Sequence, residues 1–299
     1  DVAYKSLLRQ RRQRLHLKIA DALQTGASPE VVARHFELGD DTARAITWWE
    51  RAGEDAVARS AQPEAASHFA NALRLTRAMA GEDHRAAELS LLLRLGQAQF
   101  GAYGGAAPVT SASFEAAAGL AAALDSVQEL CVAQYGQWVG HVIAGRLRQA
   151  LALADDMAAW TQASSESWAM PIGARLRAST LGLMGQLAPA RAIFEALIAA
   201  APSLESAVSK GFAHDPLLGL ASNFSHIEWA TGDTVSARQI RRCYGHDRDG
   251  NAQCQHRVVR HDLGCAAECL RARSPAGAGE QRASAGACPP HGRHVLGAE

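Results

Sequence analysis

The stretch WWERAGEDAVARSAQPEAASHFANALRL, Trp48 to Leu75, decides the fold. Its apolar residues recur at three and four positions, the spacing of a buried helical stripe, and the Gln62–Pro63 step divides it into two helices. Within it Trp49, Gly53, Ala65, Phe69 and Ala72 run large, small, small, aromatic, small. Packing explains the order: Gly53 and Ala65 let two paired helices approach closely, while Trp49 and Phe69 fill the space between that pair and its neighbour.

Outward from this stretch, Asp1 to about Arg241 reads as one helix after another, with stripes such as Leu15, Ile19 and Leu23. Breaks fall at Gly26–Pro29, Gly39–Asp41, Gln62–Pro63, Gly81–Asp83, Gly104–Pro108, Gly145, Gly185, Ala201–Pro202, Asp215–Pro216 and Gly232. Ser28 before Pro29 and Asp215 before Pro216 have the order of a capping residue and a first-turn proline. A glycine followed five residues on by a small residue recurs as Gly145 with Ala150, Gly185 with Ala190 and Gly232 with Ala237, and Phe194 stands four residues after Ala190. The offsets at Trp49–Ala72 are those of the tetratricopeptide pattern. The expected fold is all-α, a tetratricopeptide-like solenoid of antiparallel helix pairs, five or six of them in a right-handed superhelix, with an unstructured C-terminal tail. The competing reading is a non-repeating helical bundle whose glycines merely end helices.

Composition sets the class. With 48% hydrophobic and 20% charged residues over 299 positions, the chain is an ordinary globular one. Its formal net charge is zero, so no global charge draws it to nucleic acid or anionic lipid. The longest apolar stretch, Ala116 to Leu124, falls well short of the roughly 20 residues that span a bilayer. No export signal is recognisable, and the expected location is cytoplasmic. Arginine outnumbers lysine 27 to 3, as in translation of a very GC-rich gene.

From Cys243 the texture changes. Val258, Val259, Leu263, Leu270, Val295 and Leu296 are the only aliphatic core formers of the final 57 residues, which hold five of the six cysteines. Such a stretch buries too little apolar surface to offset the entropy of ordering it. Three readings stand: an out-of-frame translation, genuine disorder, and a metal-binding tail. Cys243, Cys254, Cys265, Cys269 and Cys288 with His246, His256 and His261 match no compact two-plus-two zinc spacing. The first reading explains more. Back-translated with freely chosen wobble bases and read one nucleotide later, residues 251–272 permit MPNANIASFAMTLGALLNACA, an amphipathic helical sequence.

The opening DVAYKSLLRQRRQRLHLKIADAL, followed by ARHFELGDDTARAITWWERAGEDAVARSAQPEAASHFANALRL, resembles a group of bacterial signalling ATPases. In these an AAA/STAND-type nucleotide-binding module precedes a tetratricopeptide array, and many carry a class III adenylate/guanylate cyclase domain. The resemblance covers about residues 1–241 and is strongest over 1–77. It implies a helical segment following the ATPase module (1–40), helical repeats (41–241) and the tail (242–299). DVAYKSLL resembles the end of the ATPase part, so this chain is expected to start just after it. LuxR-type regulators, with a similar ATPase and array and a DNA-binding domain, are the alternative parent.

No phosphate loop, dinucleotide-binding glycine motif, nucleophile elbow or zinc-protease motif occurs. No catalytic, cofactor-binding or metal residue is therefore assigned, and no cofactor is expected. Arg9, Arg11, Arg12, Arg14 and Lys18 are spread around much of a helix circumference and read as a solvated face, while Leu7, Leu8, Leu15 and Ile19 form the apolar side. Trp48 and Trp49 point about 100° apart on a helix, so one is expected in the core and the other partly exposed or covered by the next helix. His214, Asp215 and Pro216, with His226 beyond, read as a helix cap. His141 near Cys131 and Trp138 reads as a packed histidine, since one Cys and one His are too few for a closed zinc site. The expected function is non-catalytic: a protein-interaction or regulatory segment that meets a protein or peptide partner, or the parent's own ATPase or cyclase domains. Neither nucleic acid nor membrane is an expected partner. An uncapped repeat end should favour self-association.

Overall fold

The structure is a computed structural model and describes residues 8–79, 84–163, 168–200 and 216–244. Among the described residues all regular structure is helical: α1 (Arg9–Leu23), α2 (Pro29–Leu38), α3 (Thr42–Ala58), α4 (Gln62–Ala78), α5 (Arg85–Tyr103), α6 (Pro108–Ala123), α7 (Val127–Ile143), α8 (Leu147–Ala163), α9 (Met170–Leu183), α10 (Leu187–Ala200), α11 (Pro216–Ala230) and α12 (Thr234–Tyr244). These residues fall into two compact units, the first drawn from Asp1–Ala190 and Ser206–Pro216, the second from Arg191–Glu205 and Leu217–Glu299. His214, Asp215 and every tail position from 245 on lie outside the described residues, as do the Gly81–Asp83 and Ala201–Pro202 breaks.

In the first unit each helix from α1 to α8 packs on the one that follows, and α5 also meets α7, as α7 meets α9. Within the first unit these substantial contacts run to the next helix or the next but one. Small residues set the approach. A Cβ at Gly53 would lie 2.5 Å from Cε1 of Phe69, and one at Gly173 would lie 2.7 Å from the Cα of Ala158. The first glycine admits a ring between α3 and α4; the second brings α9 against the backbone of α8. The core of α1–α7 is built from such alanines as Ala33, Ala45, Ala52, Ala65 and Ala72, set among Phe36, Trp49 and Phe69.

Six junctions share one backbone design. At α2–α3 the amide of Asp41 donates to the carbonyl of Phe36 and that of Asp40 to Glu37; at α3–α4 Ala61 donates to Ala56 and Ser60 to Val57. The same two bonds recur at Ser126/Asp125, Arg146/Gly145, Gln186/Gly185 and Asp233/Gly232. Each pair satisfies carbonyls orphaned at a helix end and requires one left-handed residue. That residue is Asp40 (φ 67), Ser60 (φ 59), Asp125 (φ 52), Gly145 (φ 69), Gly185 (φ 79) or Gly232 (φ 92). The residue after it accepts, through its carbonyl, the first bond of the next helix, from Ala45, Ala65, Leu130, Ala150, Ala190 and Ala237 in turn. One helix's end is therefore the next helix's start, with three residues between them.

The shared junctions expose an internal correspondence. The starts of α3 and α7, α4 and α8, and α5 and α9 each lie 85 residues apart, and α3, α4, α7 and α8 are all 17 residues long. Asp40 matches Asp125, and Ala65 matches Ala150. Thr76 matches Thr161: both are buried, and each hydroxyl donates to the carbonyl four residues back, at 3.0 Å to Ala72 and 2.7 Å to Met157.

The break at Leu124–Ser126 is absent from the sequence-based expectation, because the left-handed position there is Asp125. Ser28 does cap α2 with Pro29 in the first turn, but its side chain makes no capping bond. The side-chain caps are Asp41, accepting from the Arg44 amide at 3.1 Å, and Asp233, accepting from Ser236 at 3.0 Å.

Candidate functional site

A cross-helix polar cluster of the first unit lies on α2, α3 and α4. The Glu37 carboxylate accepts the Trp49 indole N–H at 3.1 Å through Oε2 and the Arg74 guanidinium through Oε1. The Trp49 ring stacks on His68, centroids 5.4 Å apart. His68 is buried, its Nδ1 has no hydrogen-bond partner among the described residues, and burial lowers its pKa. Glu37, Arg74 and His68 carry no motif, and sequence reasoning missed them. The signal available was the spacing: His68 precedes Phe69 on a helix whose partner face was already fixed by Trp49.

Both tryptophans are buried, Trp48 to 8% and Trp49 to 3% exposure. The expectation of one core ring and one ring partly exposed or covered by the next helix gives way to two rings in the core, and Arg51, three residues on along the same helix, stands with its guanidinium 4.7 Å from the Trp48 ring centre.

On α1 the expected apolar side is corrected. Leu8, Leu15 and Ile19 are exposed, whereas His16 and Ala20 are buried and Leu17 and Leu23 pack on the core. The reason is the neighbour: α2 presents Gly39, into whose missing Cβ space the Leu17 side chain fits, and His35, whose Nδ1 lies 2.8 Å from that of His16. Leu7 lies outside the described residues. Arg9, Arg11, Arg14 and Lys18 are exposed and Arg12 half-buried. Burial, then His35 and Arg12, lowers the pKa of His16.

Cys131 and His141 stand ten residues apart on α7, about 15 Å along its axis, so they share no ligand position. Burial pushes the Cys131 thiol up to about 12 and lowers the pKa of half-buried His141. The Trp138 indole donates to the Thr180 hydroxyl at 2.8 Å, tying α7 to α9. Among the described residues no group of three or more His, Cys, Asp or Glu could hold a metal ion, and no helix is long and apolar enough to cross a membrane.

In the second unit Pro216 opens α11 and His226 is exposed. Glu228 is fully buried and pairs with Arg191 Nε at 2.9 Å, while the same guanidinium meets Glu195 at 3.0 Å. The rings of Phe194 and Phe224 lie 5.9 Å apart.

Neither a family model nor a curated protein matches the chain.

Chemically, these groups hold helices together. The Glu37 carboxylate, the Arg74 guanidinium, the Trp49 and Trp138 indoles and the Thr180 hydroxyl are bonded to one another across helices.

Proposed function

We propose that this chain is a tetratricopeptide-like array of antiparallel helix pairs that serves as the non-catalytic interaction and regulatory segment of a bacterial multidomain signalling ATPase. The parent is a protein of the kind that carries an adenylate/guanylate cyclase domain. The observation that carries the reading is the junction used six times over, joined to substantial helix contacts in the first unit that run to the next helix or the next but one. Such near-neighbour packing is the mark of an array that grows by adding units and leaves long surfaces free for a partner. The Trp49, Gly53, Ala65, Phe69 and Ala72 set supports it, each member buried and Gly53 receiving the Phe69 ring. The choice of parent rests on the resemblance of residues 1–77 to the segment that follows an AAA/STAND module.

Sequencing the gene on both sides of the codons for these residues tests the proposal. An upstream nucleotide-binding module in the same frame is expected. A gene with no such module anywhere overturns the choice of parent, and leaves the array reading to be judged on binding alone.

A further inference from the structure

The outward face of α1 has no use in the packing just described. Leu8 is 81% exposed, Leu15 43% and Ile19 40%. With half-buried Arg12 and exposed Ala22 they follow spacings of four, three, four and three, the a/d seam of a helix that meets another helix. One flank of the seam is closed, because His16 and Leu23 turn toward α2 and the core. The other flank is open and carries Arg11 and Lys18, the two positions that reach across such a seam to a partner's side chains. The only acid on α1 is Asp21, held at 2.7 Å by Arg44. The seam is thus Leu8, Leu15, Ile19 and Ala22 with half-buried Arg12 among them, bordered by Arg11 and Lys18, which no acid of α1 faces across the seam.

We infer that this face of α1 is a docking site for an acidic amphipathic helix of a partner protein. Charge complementarity selects the partner: carboxylates opposite Arg11 and Lys18 gain, and lysines there are repelled. The width of the face selects a helix over a lipid surface. A helix lying in a bilayer interface presents a broad apolar face with bulky side chains, whereas Leu15 and Ile19, the two bulky apolar residues that α1 exposes, stand only about 40° apart at 100° per residue. The inference stands on exposure and charge, and holds whether or not an ATPase module is the chain's neighbour.

The test uses the full chain and two synthetic helical peptides with leucine at a and d, one with glutamate and one with lysine at e and g, followed by fluorescence anisotropy. The glutamate peptide is expected to bind, more weakly as salt rises, and the lysine peptide to bind far less. Arg11→Glu with Lys18→Glu should weaken the glutamate peptide roughly tenfold and improve the lysine peptide. Leu15→Asp with Ile19→Asp should cost more than about a hundredfold. Should that apolar double variant fail to fold, the charge-reversal pair decides. Equal binding of both peptides, no binding of the glutamate peptide, or retention by phosphatidylserine vesicles in its place would overturn the inference.

Discussion

An added Cβ at Gly53 would stand 2.5 Å from the Phe69 ring, whereas one at Gly119 of α6 would meet nothing within 4 Å. Both glycines sit in helices, where alanine is intrinsically better by about 1 kcal/mol. Gly119→Ala should therefore stabilise by up to that amount. Gly53→Ala should destabilise by about 1 to 2 kcal/mol, since overpacking outweighs propensity. Urea unfolding of the two variants checks the contrast, and equal shifts would contradict the close approach of α3 and α4. Titration gives a second test at this scale. His16, His68 and His141 all have pKa values lowered by burial. As pH falls below the ordinary value of about 6.5, the unfolded chain takes up protons that the folded chain refuses. Stability is full above that pH and is lost as pH falls through it. Glu50, raised by burial, acts with the opposite sign at pH values above its ordinary range. His68→Phe keeps an aromatic ring against Trp49 and should reduce the loss between neutral pH and mildly acid pH, read from urea midpoints; an unchanged slope would show that His68 is not the group being charged.

At the scale of elements, the junction carries the account. Asp125 adopts φ 52 where Gly185 adopts φ 79 in the same hydrogen-bonding frame, and a side chain in that region carries a steric cost that glycine does not. Asp125→Gly should gain about 0.5 kcal/mol, and Gly185→Ala should lose about 1 kcal/mol, measured by denaturant unfolding. The same junctions explain how far the sequence could be read. Gly145, Gly185 and Gly232 were legible because glycine advertises a left-handed position, and the alanine five residues on completed the signal. Asp40, Ser60 and Asp125 hold the same conformation with side chains that advertise many other things, so the first two breaks were read without being joined to the series and the third was missed. With the series incomplete the spacing looked like 40 and 47 residues and concealed the 85-residue correspondence of α3–α5 with α7–α9. The stripe of α1 was misjudged for a related reason: Leu8, Leu15 and Ile19 make a helical period, but a period says that a face is apolar and not which neighbour covers it. Gly39 and His35 on α2 settle that, and both lie beyond any pattern within α1. The Glu37, Trp49, Arg74 and His68 cluster was equally hidden, since it is assembled across three helices.

For the whole molecule, a near-neighbour array predicts behaviour as well as shape-independent chemistry. An array whose terminal unit lacks a polar cap exposes apolar surface, so we propose that the chain self-associates as concentration rises, read as a growing weight-average mass in sedimentation equilibrium; a constant monomer mass would count against it. We propose that the surface of the array serves the signalling ATPase of which the chain is proposed to be a segment. The most direct measurement is a calorimetric titration of the full chain with the AAA/STAND module that the proposed parent would encode upstream. The account predicts saturable association, with a dissociation constant of about micromolar or tighter. No detectable association at concentrations about a hundredfold higher would contradict it.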